Sequence, residues 1–389
     1  MLSLPIKAWL VAAAAIISTA VSTPVDAQSP PRPQTRPHEL SSVVIHSPPR
    51  NYTDPHVLYA RTVQLPNNDL LATWENYSPE PPLVHFPIYR SADSGETWAE
   101  IARVQDTELG VGLRYQPFLY LLPETIGGFK KGTLLLAGSA IPMDLSSTQL
   151  ELYASKDWGR TWEFVSHVAK GGVAIPNNGE TPVWEPFLMT YQKKLIYYYA
   201  DQRDNATYGQ KLSHQTSSDL INWGPPVTDV AYPTYTDRPG MPTVAYLPNG
   251  QYIYVYEYGG GPNPTEPNYS FPVFYRLSKN PEKFNDAPHH PIVSKDGTVP
   301  DGSPYVVWTP VGGKHGTIVV SCGTRTEIFI NKALGAEDAW EKVATPEGKS
   351  YTRSLLVFQQ DPRYLLIAGA GKLPPSTTND VTGSVVKLD

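Results

Sequence analysis

An eight-residue pattern, S-x-D-x-G-x-T-W, occurs twice in the chain with the same five positions filled. The intact copies run from Ser91 to Trp98 and from Ser155 to Trp162, with their aspartates 64 positions apart. Looser copies follow at similar intervals, from Ser217 to Trp223, from Ser278 to Phe284 and, faintly, from Asn331 to Trp340. A repeat of about 60 residues that follows strand-like runs is typical of a β-propeller, in which each repeat forms one blade.

The residues of this pattern suit a tight turn between two strands. An aspartate side chain can accept hydrogen bonds from the turn's backbone N–H groups, and glycine permits a positive φ. The tryptophan would begin the returning strand and pack beneath the hairpin. The pattern is the Asp-box of sialidase-like propellers, and its residues are predicted to be structural rather than catalytic.

A second repeated element gives the number of blades. The run from Leu65 to Glu75 parallels the run from Leu247 to Glu257 position for position. Similar strand-like runs occupy four further units, at 132–136, 194–199, 316–320 and 364–368. Six units of about 60 residues fit four short strands each. We therefore predict an all-β fold, a single six-bladed propeller of four-stranded antiparallel blades over residues 41–389. A strand near Ser42 to Ile45 is expected to pair with Gly383 to Lys387 and close the ring.

The start of the chain is predicted to be a secretory signal. Lys7 precedes an apolar run from Ala8 to Val21, and small residues up to Ala27 form a plausible cleavage site, which predicts a signal peptide at 1–27. The apolar run is too short for a comfortable membrane span. Residues 28–40 are a proline-rich lead-in. We expect a secreted monomer that does not associate with membranes.

Secretion makes N-x-S/T sites relevant, and composition limits the partners. Four such sites occur, at Asn51, Asn76, Asn205 and Asn268. The net charge is −6, which excludes the basic footprint of a nucleic-acid-binding protein.

Cys322 is the single cysteine, so no intrachain disulfide forms, and its side chain is predicted to be buried and inert.

A third repeated element is predicted to mark the start of the innermost strand of each blade. A polar or special residue precedes proline and an apolar run; the copies centre on Gln116, Glu185, Met241 and Ser303, with Tyr351 to Arg353 as the counterpart in the last unit. Side chains at these positions would crowd into a central funnel. Glu185 is the carboxylate in the series.

Glu257 is the second candidate carboxylate. It ends the apolar run from Tyr252 among tyrosines, where an unpaired charge is costly unless it serves a purpose. Glu75 holds the equivalent place in the first unit. Glu185 and Glu257 would lie on neighbouring blades, and paired carboxylates around a sugar are how most glycoside hydrolases work.

Other polar residues are candidates for binding the substrate, with a structural role as the alternative for each. They are Asp54, Arg114, Gln116, Trp184, Asp201, Arg203, Arg238 and Arg353. His289 and His290 lack further ligands nearby and are predicted to lie in a loop, so no metal site is expected. No organic cofactor is expected either.

Several strings in the sequence resemble glycoside hydrolase family 93. They are Thr181 to Leu188, Asp201 to Asp204, Gly209 to Ser217, and Arg238 to Ala245 together with Tyr256 to Gly260. The similarity covers about Tyr52 to Lys372, nearly all of the mature chain. These family members are secreted fungal exo-α-1,5-L-arabinanases with a six-bladed propeller.

The resemblance implies a retaining hydrolase that releases arabinobiose from the non-reducing end of linear arabinan, a pectin side chain of the plant cell wall. It implies that Glu185 and Glu257 are the catalytic glutamates and that a tyrosine in the last blade, matched here by Tyr351, supports the nucleophile. It does not assign which glutamate is the nucleophile.

Three alternatives stay open on the sequence. A sialidase would need an arginine cluster, for which Arg114, Arg238 and Arg353 are available, and a tyrosine nucleophile. A non-catalytic carbohydrate-binding propeller would use the glutamates only as hydrogen-bonding groups. A related enzyme would act on another furanoside or galactoside polymer.

Overall fold

The computed structural model describes residues 36–389, and the predicted signal peptide and most of the lead-in lie outside the described residues. The described chain forms 24 β-strands and one short 3-10 helix, Glu337–Ala339. The strands form six four-stranded antiparallel sheets. The predicted all-β six-bladed propeller is confirmed.

Blades 1 to 3 each consist of four strands that follow one another in the chain, from the innermost strand outwards. Blade 1 comprises β2 (Val57–Gln64), β3 (Leu70–Asn76), β4 (Phe86–Ser91) and β5 (Ala99–Val104). Blade 2 comprises β6 (Gly112–Leu121), β7 (Leu134–Ile141), β8 (Thr148–Ser155) and β9 (Glu163–Gly171). Blade 3 comprises β10 (Val183–Tyr191), β11 (Lys194–Asp201), β12 (Lys211–Ser217) and β13 (Val227–Val230).

Blades 4 and 5 repeat this order, whereas blade 6 takes its outermost strand from the start of the described chain. Blade 4 comprises β14 (Arg238–Tyr246), β15 (Tyr252–Gly259), β16 (Val273–Ser278) and β17 (His289–Pro291); blade 5 comprises β18 (Tyr305–Thr309), β19 (Thr317–Ser321), β20 (Ile328–Asn331) and β21 (Trp340–Val343); blade 6 comprises β22 (Arg353–Val357), β23 (Tyr364–Gly369), β24 (Val381–Lys387) and β1 (Leu40–His46).

The ring closes through β1, as predicted. β1 pairs with β24, with Leu40 opposite Val385 and Val43 opposite Gly383. Each innermost strand contacts the innermost strand of the next blade, and β22 contacts β2. The first and last segments of the ring therefore share one blade, which removes an open sheet edge.

The intact Asp-boxes are turns between the third and fourth strands of blades 1 and 2. In the first, Asp93 Oδ1 accepts the Thr97 N–H at 2.9 Å, and the Trp98 indole donates to Gly95 O at 3.1 Å. The second repeats both contacts, with Asp157 Oδ1 accepting the Thr161 N–H at 2.9 Å. The aspartates hold their own turns.

The six apolar runs of the second repeat are the second strands of the six blades. These strands lie between an inner and a third strand, and neighbouring blades cover both of their faces. Every residue of β3 and of β7 is buried. A strand buried on both faces requires a continuous apolar run, which is why these segments stand out in the sequence.

Two minor predictions have different outcomes. Cys322 is fully buried, and burial raises the pKa of its thiol, which fits an unreactive side chain. The prediction of a loop at His289 and His290 is wrong, because both residues lie in β17. Both residues pair with β16, so that β17 forms the outermost strand of the blade.

In residues 36–389, no helix is long and apolar enough to cross a membrane.

A buried glutamate in blade 2 predicts how stability changes with pH. Glu151 is fully buried, and burial raises its pKa to about 8. The folded state therefore binds a proton that the unfolded state has released above about pH 4.3, so the Glu151 contribution to stability falls as the pH rises from about 5 to about 8.

We expect Glu151→Gln to lose less thermal stability than the wild type over this pH range. Tyr153 donates to Glu151 Oε2 at 2.7 Å, and a glutamine oxygen can accept the same bond. Melting temperatures of both proteins at about pH 5 and pH 8 measure the effect. Equal pH slopes for the two proteins would show that Glu151 is not the titrating group.

Candidate active site

The inner ends of all six blades meet at a cavity of about 860 Å³. Blades 1 to 6 contribute, respectively, Leu58 and Glu75; Tyr115 and Gln116; Trp184 and Glu185; Arg238 and Glu257; Ser303 and Thr324; Ser350 and Tyr351. A closed ring of inner strands leaves one axial depression in which residues remote in sequence become neighbours. This cavity is the predicted funnel.

The residues that precede proline were predicted to begin the inner strands. In blades 2 to 4 this prediction is wrong, because these residues form bulges within the strands. Pairing shifts register between Trp184 and Phe187 and, in blade 4, between Gly240 and Thr243. The residues before proline have positive φ: 58° at Gln116, 61° at Glu185, 55° at Met241 and, just before β18, 50° at Ser303. A bulge redirects its side chain out of the strand's alternation. Gln116 and Glu185 line the cavity in this way, and Ser303 lines it too. Met241 is instead buried in a cluster with Leu58 and Tyr59, so the prediction that its side chain enters the funnel is wrong.

The backbone N–H groups of these positive-φ residues donate hydrogen bonds to side chains of the preceding blade. The bonds are Gln116 N to Glu75 Oε1 at 3.0 Å, Glu185 N to Gln116 Oε1 at 3.1 Å, Met241 N to Glu185 Oε2 at 2.6 Å, and Ser303 N to Glu257 Oε2 at 2.6 Å. Buried N–H groups need such partners. The cavity carboxylates thus tie neighbouring blades together.

Glu185 and Glu257 face each other across part of this cavity. A Cβ atom built on Gly240 would lie 3.1 Å from Glu257 Oε1 and 3.4 Å from Glu185 Oε2. These two oxygens are therefore no more than about 6.5 Å apart. Each Oε2 accepts a backbone N–H, and no residue among 36–389 donates a hydrogen bond to either Oε1.

The surroundings favour the protonated forms of both glutamates. Burial raises the pKa of Glu185, an effect that the Met241 N–H and the Arg238 charge partly offset. Burial also raises the pKa of Glu257, and the negative charge of Glu185 raises it further. Neighbouring carboxyls that resist ionising together titrate as a pair, which suits one to donate a proton while the other attacks or activates water.

Tyr351 lies beside this pair, in the lining of the cavity. Its carbonyl accepts the Tyr59 N–H at 2.9 Å, and its ring meets that of Tyr59 edge-on at 6.0 Å. Burial raises the pKa of Tyr351, followed by the charges of Glu185 and Glu257. The hydroxyl therefore keeps its proton and can act as a donor within the cavity.

Three of the predicted substrate-binding residues line the cavity: Gln116, Trp184 and Arg238. The Trp184 indole donates to Gln202 Oε1 at 3.0 Å. The Arg238 guanidinium donates to Asn178 Oδ1 at 2.7 Å and to Gln210 Oε1 at 2.8 Å. These amide contacts hold the cation at the rim without neutralising its charge.

The other five predicted substrate-binding residues lie outside the cavity lining. Arg114 pairs with Glu80 at 2.6 Å, and Arg203 pairs with Asp201 at 2.8 Å. Asp54 accepts the Ser376 N–H at 2.8 Å. Arg353 is fully buried and donates to the carbonyls of residues 325, 326, 327 and 347. These contacts support structural roles.

Sequence reasoning did not assign Glu75, Tyr77 or Asp301 to the site, although all three line the cavity. Glu75 had a signal, since its run parallels that of Glu257. Asp301 precedes Ser303 by two residues. No three His, Cys, Asp or Glu side chains within residues 36–389 are grouped so that they could hold a metal ion.

Solved structures of similar proteins cover nearly the whole described chain. An α-L-arabinofuranosidase of Fusarium graminearum, solved with arabinobiose and with an iminosugar inhibitor, is 63% identical over 90% of this chain and 98% of that chain, with a TM-score of 0.89. An α-L-arabinanase of Penicillium chrysogenum, also solved with arabinobiose, is 61% identical over 90% of this chain and 99% of that one, with a TM-score of 0.88.

A more distant likeness concerns the fold alone. A sialidase of Streptococcus pneumoniae superposes with a TM-score of 0.57 over 89% of this chain and 70% of that chain, at 10% identity. No protein-family model matches the chain, and no curated protein matches it.

Fold and site together define a glycosidase built on a sialidase-like propeller, with two carboxyls facing each other in an axial cavity. At 63% and 61% identity over almost the full length of two family structures, the chain belongs to glycoside hydrolase family 93.

Proposed function

We propose that the enzyme is a retaining exo-α-1,5-L-arabinanase that releases arabinobiose from the non-reducing end of linear arabinan. The observation that carries this proposal is the placement of Glu185 and Glu257 in one cavity, with Glu185 Oε2 and Glu257 Oε1 at most about 6.5 Å apart. Carboxyls about 5–5.5 Å apart serve retention, whereas about 6.5–9.5 Å leaves room for the water of inversion. The arabinobiose complexes of the two similar enzymes support the choice of sugar.

In the first step, a carboxylate oxygen of one glutamate forms a bond to the anomeric carbon of an arabinofuranosyl unit. The bond from that carbon to the leaving oxygen breaks, and the other glutamate gives its proton to this oxygen. Each glutamate is held through Oε2 by a backbone N–H, which leaves Oε1 for the reaction. The shortened chain departs with the proton.

In the second step, the glutamate that lost its proton takes one from a water molecule. The water oxygen attacks the anomeric carbon, and the bond to the first glutamate breaks. Both residues regain their starting states, and two inversions restore the anomeric configuration. Tyr351, whose hydroxyl keeps its proton, donates to the nucleophilic carboxylate in this scheme.

Binding of a neutral sugar fits the rest of the cavity. Arg238 and Gln116 offer donors for sugar hydroxyls, and Trp184 offers an apolar face. Exo action requires that one end of the cleft be blocked, and the segment after β15 brings Phe271 into the lining. The whole cavity comes from one chain, consistent with a monomer that acts on pectin-derived arabinan and arabino-oligosaccharides.

The arginine distribution argues against a sialidase. A substrate carboxylate would need several converging arginines, but Arg114 is paired with Glu80 and Arg353 is directed to backbone carbonyls. Of the three candidate arginines, Arg238 alone lines the cavity.

Product analysis tests the proposal. The purified enzyme is incubated with linear arabinan, with a galactan and with a sialoside, and early products are separated by chromatography. Arabinobiose as the first and main product of arabinan supports the proposal. Release of sialic acid, galactose products, single arabinose units or no sugar from any substrate contradicts it.

We also propose that the enzyme is secreted and carries N-linked glycans. The Asn51 and Asn268 side chains are exposed, whereas Asn205 is half-buried and donates to Gly179 O at 2.8 Å. Asn76 is only 4% exposed, at the last position of β3, where a glycan would displace the blade core.

After expression in a eukaryotic secretory host, we expect glycans on Asn51 and Asn268 and none on Asn76. Enzymatic release of glycans in ¹⁸O-labelled water marks each occupied asparagine, and peptide mass spectrometry then reads the sites. The same spectra locate the mature N-terminus. A glycan on Asn76, or retention of the protein inside the cells, would contradict the proposal.

A further inference from the structure

Glu75 is a third carboxylate in the cavity and belongs to blade 1, whereas Glu185 and Glu257 belong to blades 3 and 4. It is 2% exposed, at the end of β3. Both of its oxygens are engaged: Oε1 accepts the Gln116 N–H at 3.0 Å and Oε2 accepts the Tyr77 hydroxyl at 2.8 Å. Each oxygen of this carboxylate is thus already held by a donor of the protein.

Gln116 in turn contacts the backbone of Glu185. The backbone of Gln116 stands in the left-handed region, with φ of 58°, and its side-chain Oε1 accepts the Glu185 N–H at 3.1 Å. Glu185 is itself a left-handed bulge residue, with φ of 61°. A non-glycine residue holds such a conformation only where surrounding contacts over-determine it.

We propose that Glu75 is a positioning residue of the glycosidase reaction, which acts on Glu185 through the Gln116 bulge. Glu75 fixes the backbone of Gln116, and the Gln116 amide then fixes the backbone of Glu185. Glu185 Oε2 in turn accepts the Met241 N–H at 2.6 Å, so the chain of contacts crosses four blades. The proposal rests on the catalytic role proposed for Glu185.

The chain offers a matched control in Glu151. Like Glu75, this buried glutamate accepts the hydroxyl of the tyrosine two residues later, at 2.7 Å from Tyr153. It lies in blade 2, outside the cavity lining. Glu151→Gln therefore changes the same kind of buried contact without touching the Gln116 and Glu185 bulges, and we expect it to leave kcat unchanged.

Steady-state kinetics on a linear arabino-oligosaccharide test the proposal. Glu75→Ala should lower kcat about 100-fold, the scale of an error of about 1 Å in a catalytic group, and leave KM nearly unchanged. Glu75→Gln should restore most of kcat, because an amide oxygen can still accept the Gln116 N–H.

A double-mutant cycle tests the route through Gln116. Gln116→Met removes the acceptor of the Glu185 N–H and should lower kcat to a similar extent. The double variant Glu75→Ala with Gln116→Met should be no worse than the more impaired single variant, because residues that act in series do not add.

Several outcomes would overturn the proposal. A raised KM with unchanged kcat would show direct substrate binding by Glu75. Additive losses in the cycle, full activity of Glu75→Ala, or a Glu75→Gln variant as impaired as Glu75→Ala would each exclude positioning through Gln116. If Glu75→Ala does not fold, by circular dichroism, Glu75→Gln and Gln116→Met decide: an active Gln116→Met excludes the route. Glu185→Gln, measured alongside, shows separately whether Glu185 is catalytic.

Discussion

Glu185→Gln and Glu257→Gln are each expected to fold normally and to lose orders of magnitude of activity on arabinan. General acid–base catalysis contributes about 10²–10⁴-fold, so the loss should be at least this large, and larger for the nucleophile. Folding should be retained because a glutamine oxygen can still accept the Met241 or Ser303 N–H that each carboxylate now binds.

Measurement of kcat/KM and melting temperature for both variants separates chemistry from stability, with Glu151→Gln as the control for loss of a buried carboxyl elsewhere. A substrate with an activated leaving group distinguishes the two roles. The acid/base variant should still form the glycosyl-enzyme, because such a leaving group departs without protonation, whereas the nucleophile variant should not. Near-wild-type activity of either variant on arabinan would remove that residue from the mechanism.

Gly240→Ala is also expected to have a large effect on kcat. The added methyl group would lie 3.1 Å from Glu257 Oε1 and from Gln210 Nε2, and 3.4 Å from Glu185 Oε2. It would occupy space between the two carboxyls and displace at least one of them. A displacement of about 1 Å can cost about 100-fold in rate, so kcat should fall by this order.

A glycine in an open turn supplies the control. A Cβ on Gly128 would meet nothing within 4 Å, so Gly128→Ala should keep full activity. Binding of an iminosugar inhibitor, measured by calorimetry, should weaken in Gly240→Ala and not in Gly128→Ala. Unchanged kinetics for Gly240→Ala would show that the carboxyls do not react in the geometry described here.

The architecture could be predicted because propeller blades repeat the same physical problem. Each blade needs a fully buried second strand and a tight outer turn, so apolar runs and Asp-boxes recur at regular intervals. The pairing of β1 with β24 also followed, since an unpaired edge is unfavourable. The β17 strand was missed because three residues, His289–Pro291, carry too short a pattern.

The site could be predicted only in part, because side-chain direction depends on the bulges. Glu185 and Glu257 were found from their places in repeats, but Arg353, two residues after Tyr351, is directed away from the cavity. Strand alternation alone would place residues two apart on the same face. Tyr59, with φ of 57°, is the blade 1 counterpart of Glu185, yet no proline follows it to mark the bulge.

Covalent trapping tests the central claim most directly. The enzyme is treated with an arabinofuranose-configured epoxide inactivator, and the labelled peptide is identified by mass spectrometry. One equivalent of label on Glu185 or Glu257, blocked by prior addition of arabinobiose, is the expected result, and it also names the nucleophile. Label on any other residue, or an active enzyme that is never labelled and releases sugar with inverted configuration, would contradict a retaining mechanism run by this pair.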